Sequence, residues 1–260
     1  MRAAYARDGF LVLDGFADVA TCSALIARAE DLIAGYTPPA RAPVFSGVGR
    51  SQADIAHFRH SSDRVSFFLE DDGRAVNKIG HALHDLDPVF MDFSRQPRLA
   101  ALAVGLGLAD ALLLQSMYIV KAPQVGGEVT PHQDATYLYS EPVTATGFWL
   151  ALHDADPGNG GLYAYAGQHL GGLRERYRAR DGELVTEPLD PTPWPQAARI
   201  DLATPAGTLV VLHGLLPHGS DANRSNRPRH AYALHVVDGT SRLSPDNWLQ
   251  RRPEMPLRGF

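Results

Sequence analysis

The sequence predicts a mainly β fold, in which helices flank a double-stranded β-helix, the cupin-like jelly roll. The pattern changes near residue 111: before it, apolar residues recur mostly at helical spacing, and after it, short β-rich runs alternate with turn signals. Many short strands at this spacing are typical of a sandwich or barrel rather than a parallel α/β sheet. We expect one domain over 1–260, with a helical portion at 1–110, a jelly-roll core at 111–240 and a tail at 241–260.

Local patterns predict the elements of the N-terminal portion. Residues 8–16 predict a short apolar strand between two glycine turns. Apolar residues at helical spacing predict a helix over 18–35, which Gly35 would end. Residues 36–50 are rich in Pro, Gly and Ser and predict a loop whose composition suits a lid over a site. The remaining predicted elements are a strand at 64–70 and helices at 76–85 and 97–108.

The second half of the chain predicts a series of strands. Asn159-Gly160 is a strong hairpin signal between two of them. The predicted strands are 112–121, 129–138, 145–154, 161–166, 200–203, 207–213 and 229–237.

Composition excludes several classes of function. The 260 residues are 45% hydrophobic and 20% charged, with a formal net charge of -5, so the basic excess of a nucleic-acid-binding protein is missing. The arginines at 174–180 are interspersed with acidic residues; we interpret them as a solvated face or loop, and an anionic substrate handle is the alternative. Cys22 is the only cysteine and cannot form an internal disulfide, and no apolar stretch is long enough for membrane insertion. We expect a cytoplasmic monomer that acts on a small molecule.

The segment Thr130-Pro-His-Gln-Asp134 carries the first chemical signal. On a strand, residues i and i+2 point to the same face, so His132 and Asp134 would converge. An imidazole and a carboxylate are two ligands of the facial triad of two histidines and one carboxylate, which holds Fe(II) and leaves positions open. An isolated His-x-Asp pair is weak evidence, because it also suits a surface pair.

The third ligand and an anchoring arginine lie downstream. His218 follows Asp134 by 84 residues, after an apolar strand, and late jelly-roll strands return beside early ones. Arg229 follows 11 residues later, and alternation places it on one face with two alanines, which leaves room for a small ligand. Its guanidinium can bind a carboxylate in bidentate fashion. The rival third ligands are His213, His230 and His235.

Other metal chemistries remain to be weighed. Zinc hydrolases also use histidines and a carboxylate, but the His-Glu-x-x-His pattern of many of them is absent from this sequence. Asp134 also argues against a halogenase, which needs a free metal position for halide.

The sequence resembles the phytanoyl-CoA dioxygenase family, and within it the subgroup of phytanoyl-CoA dioxygenase domain-containing proteins. The resemblance covers nearly the whole chain and is far more specific than His-x-Asp alone. It is carried by Asp8-Gly-Phe-Leu-Val-Leu, Asn77-Lys-Ile-Gly-His-Ala-Leu-His84, Gln115-Ser-Met-Tyr118, Gly126-Gly-Glu-Val-Thr-Pro-His-Gln-Asp-Ala135, Leu138-Tyr-Ser-Glu-Pro142 and Ser244-Pro-Asp-Asn-Trp-Leu-Gln250.

The resemblance implies a jelly-roll oxygenase that uses Fe(II), 2-oxoglutarate and O2. It implies that His132, Asp134 and His218 are the iron ligands and that Arg229 anchors the far carboxylate of 2-oxoglutarate. It further implies that the cosubstrate pocket is lined by Lys78, Met117, Trp149 and Ser220. One departure is Ala166-Gly-Gln-His169, where the family commonly has Pro-Gly-Ser-His. Because this stretch lies near the substrate mouth in the family, the departure weakens any transfer of substrate.

These readings predict a dioxygenase that hydroxylates a small organic substrate and releases succinate and CO2. Desaturation, ring formation or epimerisation are other outcomes of the same chemistry. The alternative from another class is an iron- and 2-oxoglutarate-binding sensor or regulatory protein with little turnover.

Overall fold

The computed structural model describes residues 1–38 and 52–260, and two antiparallel β layers form the centre of this part of the chain. Most of the loop and lid predicted at 36–50 lies outside the described residues. The helices are α1 (Arg2–Asp8), α2 (Val19–Ala34), α3 (Gln52–Arg59), α4 (Leu83–Leu86), α5 (Pro88–Ser94), α6 (Pro97–Leu106) and α7 (Asp134–Tyr137).

Most of the strands belong to one of the two layers, and the others form two separate pairs. The strands are β1 (Phe10–Leu13), β2 (Val65–Leu69), β3 (Val76–His81), β4 (Ala111–Lys121), β5 (Val129–His132), β6 (Ser140–Glu141), β7 (Thr146–Ala151), β8 (Leu162–Tyr165), β9 (Glu175–Arg180), β10 (Glu183–Pro188), β11 (Arg199–Leu202), β12 (Leu209–His213), β13 (His218–Ser220), β14 (Arg229–Asp238), β15 (Arg242–Leu243) and β16 (Arg258–Gly259).

The larger layer has the strand order β1-β12-β7-β14-β4-β3-β2, with β16 paired to β4. The smaller layer has the order β11-β8-β13-β5. Apolar side chains from both layers form an interior cluster that includes Trp149, Leu162, Ala164 and Ala233. This arrangement confirms the predicted mainly β jelly-roll core.

The helices cover the outer face of the larger sheet. A second cluster joins Leu25 of α2, Phe90 of α5 and Leu99 of α6 to Tyr118 and Tyr232 of the sheet. The predicted helix at 18–35 is confirmed as α2, and Asp18 caps it by accepting a hydrogen bond from the Thr21 backbone N–H at 2.7 Å. The predicted helix at 97–108 is confirmed as α6.

The helix predicted at 76–85 is wrong over most of its length. Val76–His81 is strand β3, and only the following residues form the short helix α4. Strand β3 pairs with β2 on one side and β4 on the other, so three strands of the N-terminal portion (β1, β2 and β3) belong to the larger sheet. Pairing with neighbouring strands outweighs the local helical spacing here.

The arginines at 174–180 do not form a loop. Most of them lie on β9, which pairs with β10 in a hairpin that the sequence reading missed. The dipeptide Asp181-Gly182 at its tip is the turn signal that would have predicted this hairpin. Both of its residues have positive φ, 51° and 87°. Arg176 and Arg178 bind Asp246 at 2.7 and 3.2 Å, so these arginines form ion pairs within the protein.

Within the described residues, none of the helices has the length and apolar character that crossing a membrane requires.

Candidate metal centre

Three side chains from neighbouring elements of the smaller layer meet at one point. His132 is the last residue of β5, Asp134 is the first of α7, and His218 is the first of β13. His218 pairs with His132 in the β5–β13 ladder. The strand predicted at 129–138 is correct only as far as His132, because the chain turns into α7 there. The turn still brings the Asp134 carboxylate beside the two imidazoles.

The geometry suits a single metal ion. One ligand atom from each residue lies within 4.8 Å of the other two. Asp134 Oδ1 is 3.8 Å from His132 Nε2 and 3.7 Å from His218 Nε2. The His132 side chain is 21% exposed, whereas those of Asp134 and His218 are each 8% exposed. The site therefore opens to solvent on the His132 side.

Hydrogen bonds at the far ring nitrogens leave the near ones free for a metal. His132 Nδ1 lies 2.9 Å from the Thr130 carbonyl, and His218 Nδ1 lies 3.0 Å from the Leu216 carbonyl. A carbonyl only accepts, so each Nδ1 carries the hydrogen and each Nε2 keeps its lone pair. Both Nε2 atoms face Asp134, and this donor set fits a divalent transition metal.

Burial and charge keep these groups in the protonation states that a metal needs. Burial, with the neighbouring His218, lowers the pKa of His132 to about 4, so its imidazole is neutral near pH 7. Burial alone would raise the pKa of Asp134, but the three imidazoles of His235, His218 and His132 hold it well below its usual range. The carboxylate is therefore ionised.

The second oxygen of Asp134 has a partner of its own. His235 Nε2 lies 3.2 Å from Oδ2, while the other two histidines face Oδ1. Gln115 Nε2, which can only donate, lies 3.3 Å from His235 Nδ1, so the ring hydrogen sits on Nε2, the nitrogen nearer to Asp134. A Cβ at Gly147 would lie only 3.0 Å from Oδ2, so this glycine makes room for the carboxylate. His235 orients the carboxylate and is not placed among the three converging ligand atoms.

The other rival histidines are occupied elsewhere. His213 Nδ1 accepts from the Leu215 backbone N–H at 3.1 Å. His230 Nδ1 lies 2.8 Å from the Tyr118 hydroxyl, on the opposite face of β14 from Arg229. Neither belongs to the group of possible ligands found in the described residues.

Gln133 lies between His132 of β5 and Asp134 of α7. It is buried, and the sequence did not predict a role for it. Its Nε2 donates to the Gly172 carbonyl at 2.8 Å and the Leu215 carbonyl at 2.7 Å, and its Oε1 accepts from the Arg174 backbone N–H at 2.9 Å. It therefore fixes the metal-site turn to the loop that follows β8.

The departure at 166–169 lies on the same loop. His169 Nε2 lies 3.1 Å from the Ala6 carbonyl, and the Gly167 backbone N–H donates to the Asp8 carbonyl at 3.0 Å. These contacts tie the stretch to α1 and the start of β1.

Arg229, Ser220 and Trp149 come together near the end of β13 that is away from His218. Arg229 is 1% exposed, donates from Nε to the Gly160 carbonyl at 2.9 Å, and from Nη2 to Ser220 Oγ at 3.3 Å. Its guanidinium carbon is 5.6 Å from the centre of the Trp149 ring. Burial lowers the pKa of Arg229 to about 9, which still leaves it charged at neutral pH.

Met117 and Lys78 lie on β4 and β3 of the larger sheet, on the β2 side of the strand that carries Arg229. Ala233 pairs with Met117 on one side and with Trp149 on the other, so these three residues form one row. Lys78 pairs with Ile119 and is 7% exposed, and its Nζ lies 5.1 Å from the centre of the Phe68 ring. Lys78 is thus a buried strand residue rather than one on a helix.

Comparison with known proteins decides the family. The family model described as phytanoyl-CoA dioxygenase matches residues 5–231. The chain belongs to the phytanoyl-CoA dioxygenase family.

Full-length relatives and a solved structure agree with this assignment. The chain is 41% identical to phytanoyl-CoA dioxygenase 1 of Oryza sativa subsp. japonica, over 96% of this chain and 93% of that protein. It is 38% identical to phytanoyl-CoA dioxygenase domain-containing protein 1 of Bos taurus, over 97% and 94%. It shares the fold, at 20% identity and a TM-score of 0.69, of the epimerase SnoN in complex with Fe3+, α-ketoglutarate and nogalamycin RO, over 97% of this chain and 88% of that one.

The family confirms the class of enzyme expected from the sequence, an Fe(II)- and 2-oxoglutarate-dependent oxygenase. In this phytanoyl-CoA dioxygenase family member, the predicted His-Asp-His set is brought together at the end of the smaller layer.

Proposed function

We propose that this protein hydroxylates a small organic substrate, using Fe(II), 2-oxoglutarate and O2 and releasing succinate and CO2. The observation that carries the proposal is the convergence of ligand atoms from His132, Asp134 and His218 within 4.8 Å. The buried Arg229, near the end of β13 that is away from His218, supports 2-oxoglutarate as the cosubstrate.

Iron held at this site would activate O2 for attack on a substrate C–H bond, with 2-oxoglutarate as the source of electrons. His132, Asp134 and His218 would supply three ligands on one side and leave the opposite side open for the cosubstrate and O2. His235 Nε2 lies 3.2 Å from the second oxygen of Asp134, which favours a single metal bond through the first oxygen.

Arg229 would bind the far carboxylate of 2-oxoglutarate. Among the residues that the structure describes, no carboxylate forms an ion pair with Arg229, and an unpaired buried guanidinium is unfavourable. A carboxylate ligand supplies the missing charge, and the fork of the guanidinium suits it. Ser220 can add a hydroxyl hydrogen bond, and Trp149 can form a wall. The complex of SnoN with Fe3+ and α-ketoglutarate supports this choice of cosubstrate.

The substrate would approach on the His132 side, because that ligand is the most exposed of the three. The Tyr137 ring lies 6.0 Å from the His132 ring and 5.4 Å from that of Tyr177 on β9. This edge is aromatic, and the hairpin that carries Tyr177 is part of the proposed substrate mouth.

The deciding experiment is a screen for succinate release from 2-oxoglutarate with Fe(II), across acyl-CoAs, free fatty acids and polar metabolites. We expect release that depends on Fe(II), with one class of substrate raising it above the substrate-free rate. The Asp134→Ala variant should lose tight Fe(II) binding and all release, because it removes the only carboxylate among the converging ligands. Tight 2-oxoglutarate binding without any succinate release, even uncoupled, would favour a sensor instead. Turnover in Asp134→Ala would contradict the ligand assignment.

A further inference from the structure

The chain has lysines at only two positions, 78 and 121, and both are buried. Lys78 is 7% exposed and Lys121 is 2% exposed. All the other residues counted as lysine or arginine are arginines. Burial of an ammonium group is costly and therefore needs a physical reason.

Lys121 lies beside the proposed carboxylate anchor. It is the last residue of β4 and pairs directly with Arg229 at the start of β14. Its Nζ donates to Ser220 Oγ at 2.7 Å and to the Ser220 carbonyl at 3.2 Å, and it also donates to the Asp221 carbonyl. An ammonium has three hydrogens, so these acceptors use all of them.

The stem of Lys121 occupies space that two glycines leave open. A Cβ at Gly126 would lie 2.5 Å from Lys121 Cγ, and one at Gly160 would lie 2.7 Å from Lys121 Cδ. The backbone carbonyl of Gly160 also accepts from Arg229. Lys121 and Arg229 are therefore built into one compact site.

Hydrogen-bond accounting at Ser220 shows what this site lacks. Ser220 Oγ accepts from Lys121 Nζ at 2.7 Å and from Arg229 Nη2 at 3.3 Å. A hydroxyl has two lone pairs and one hydrogen, so both acceptor positions are filled and the hydrogen must be donated. A carboxylate oxygen in front of Arg229 would be its acceptor.

We propose that protonated Lys121 sets Ser220 as a hydrogen-bond donor to the distal carboxylate of 2-oxoglutarate, and that Lys121 takes up a proton when that carboxylate binds. This inference rests on the proposed function. Lys121 is a positioning residue, since its three hydrogens are committed to protein acceptors.

The charges around Lys121 support the proton uptake. Burial lowers its pKa to about 7, and the Arg229 charge on β14 acts in the same direction. Glu70 after β2, Asp221 after β13 and Glu128 before β5 oppose this shift. The remaining nearby cation is Lys78 on β3, which pairs with Ile119 two residues before Lys121.

The opposing carboxylates are partly engaged elsewhere. Asp221 binds Arg199 at 2.5 Å, and Glu70 accepts from the Gly127 backbone N–H at 3.2 Å. Without a bound anion, the Lys121 amine is therefore neutral in part of the molecules at pH 7 and above. A neutral amine has only two hydrogens and cannot serve all three acceptors. A bound carboxylate favours the ammonium again, so affinity should fall as the pH rises above about 7.

Calorimetric titration of 2-oxoglutarate into the Fe(II)-loaded protein without oxygen tests the proposal. At about pH 8, above the pKa of the free site, titrations in HEPES and Tris, whose ionisation enthalpies differ, should differ in heat in proportion to the number of protons taken up. We expect uptake in the wild type and its loss in Lys121→Met. That variant should bind 2-oxoglutarate roughly tenfold to a hundredfold more weakly. Binding of 2-oxobutanoate, which lacks the distal carboxylate, should be unchanged.

Two controls separate this role from a general effect of charge or folding. Arg227→Met removes a positive charge two residues before Arg229 from an exposed position and should leave affinity and proton uptake unchanged. In a Ser220→Ala background, Lys121→Met should weaken 2-oxoglutarate binding little further, because the serine through which it acts is absent. The Fe(II) affinity of each variant reports on correct folding.

The signals of labelled lysine report the same proton uptake in the wild-type protein, without any substitution. Lysine labelled with 13C at Cε gives two signals in the Zn(II)-loaded protein, because the chain holds two lysines. One of them should shift to the ammonium form when 2-oxoglutarate is added at about pH 8.

Unchanged lysine signals on 2-oxoglutarate addition, or wild-type affinity in Lys121→Met, would overturn the inference and leave the proposed function intact. Failure of the wild type to bind 2-oxoglutarate would overturn the proposed function as well.

Discussion

Among the described residues, two groups of positively charged side chains at buried sites differ in how their charge is balanced. In the first, the Asp85 side chain, which is 1% exposed, is surrounded by arginines from the turn before α6 and from the C-terminal tail. The distances to its oxygens are 2.7 Å from Arg95, 3.1 Å from Arg251 and 3.2 Å from Arg258. In the second, Arg229 and Lys121 pair across β14 and β4 with no carboxylate in ion-pair contact in the described parts of the chain.

This difference separates a structural group from a proposed binding site. The Asp85 group contains its own counter-ion and joins the tail to α4 and its neighbours, so it needs nothing from solution. The Arg229–Lys121 pair is complete only when an anion is present, and that requirement is a reason to expect a ligand there. Both groups contain buried arginine, so burial alone does not distinguish them.

The largest effect on stability should follow from Asp85→Ala. It would leave three arginines without their shared carboxylate, and breaking a buried ion pair from one side costs about 3–5 kcal/mol. Urea unfolding should show a correspondingly lower free energy of unfolding. The matched control is Asp201→Ala, because the Asp201 side chain is 50% exposed and lies 3.7 Å from Arg199. An equal loss in both variants would remove the distinction between the two groups.

Arg229→Met should weaken ligand binding without lowering the stability of the protein. Without ligand, it removes an uncompensated buried charge, so the free energy of unfolding should stay the same or rise. Binding of 2-oxoglutarate should weaken by about 2–3 kcal/mol, the contribution of hydrogen bonds to a charged group. Unfolding in urea and calorimetry on the same samples measure both quantities. A variant that lost stability but kept its affinity would show that Arg229 is structural.

The sequence located the proposed metal ligands because their residue types are rare together and the chain between them forms strands. His132 and Asp134 were close in sequence, and the ladder that pairs His132 with His218 is the return expected of a jelly roll. The contact of His235 with Asp134 could not be read in the same way. It depends on the register of β14 against β7 and β4, which only the folded sheet fixes.

The same limit explains the wrong helix at 76–85. Val76, Ile79 and Leu83 recur at helical spacing, but β3 is held between two neighbouring strands whose partners are distant in sequence. The Lys121–Arg229 pair also follows from such pairing. Lys121 and Arg229 lie far apart in the chain, and nothing near either one indicates that the other is its neighbour.

As the pH falls, the protein should lose stability before the Asp85 carboxylate becomes protonated. Burial lowers the pKa of His230 to about 4 and that of His213 to about 4, below the value near 6.5 of an unfolded chain. Stability from these neutral imidazoles is complete above pH about 6.5 and is lost as the pH falls towards about 4, by up to about 3 kcal/mol each. Asp85, whose pKa is held low by His84 and the arginines despite burial, loses its contribution only below about pH 4.

Urea unfolding at a series of pH values measures this order. The main decline should lie between about pH 6.5 and 4, and His230→Gln should reduce it. A wild-type decline confined to pH values below 4 would instead place the acid-sensitive groups among the carboxylates.

The smallest effect should come from His235, which touches neither cation group and acts through the proposed metal ligand Asp134. In His235→Leu, the second oxygen of Asp134 loses the imidazole that lies 3.2 Å away, and Gln115 loses its acceptor at 3.3 Å. Residues that orient metal ligands typically change metal affinity by about 10-fold or more, so Fe(II) binding should weaken by about that factor. The distal carboxylate anchor lies at the far end of β14, so the preference for 2-oxoglutarate over 2-oxobutanoate should remain. His230→Leu on the same strand, facing the helices, is the matched control and should leave Fe(II) affinity unchanged. If His235→Leu altered the cosubstrate preference but not Fe(II) binding, the metal end and the anchor end would not be the separate regions that their contacts indicate.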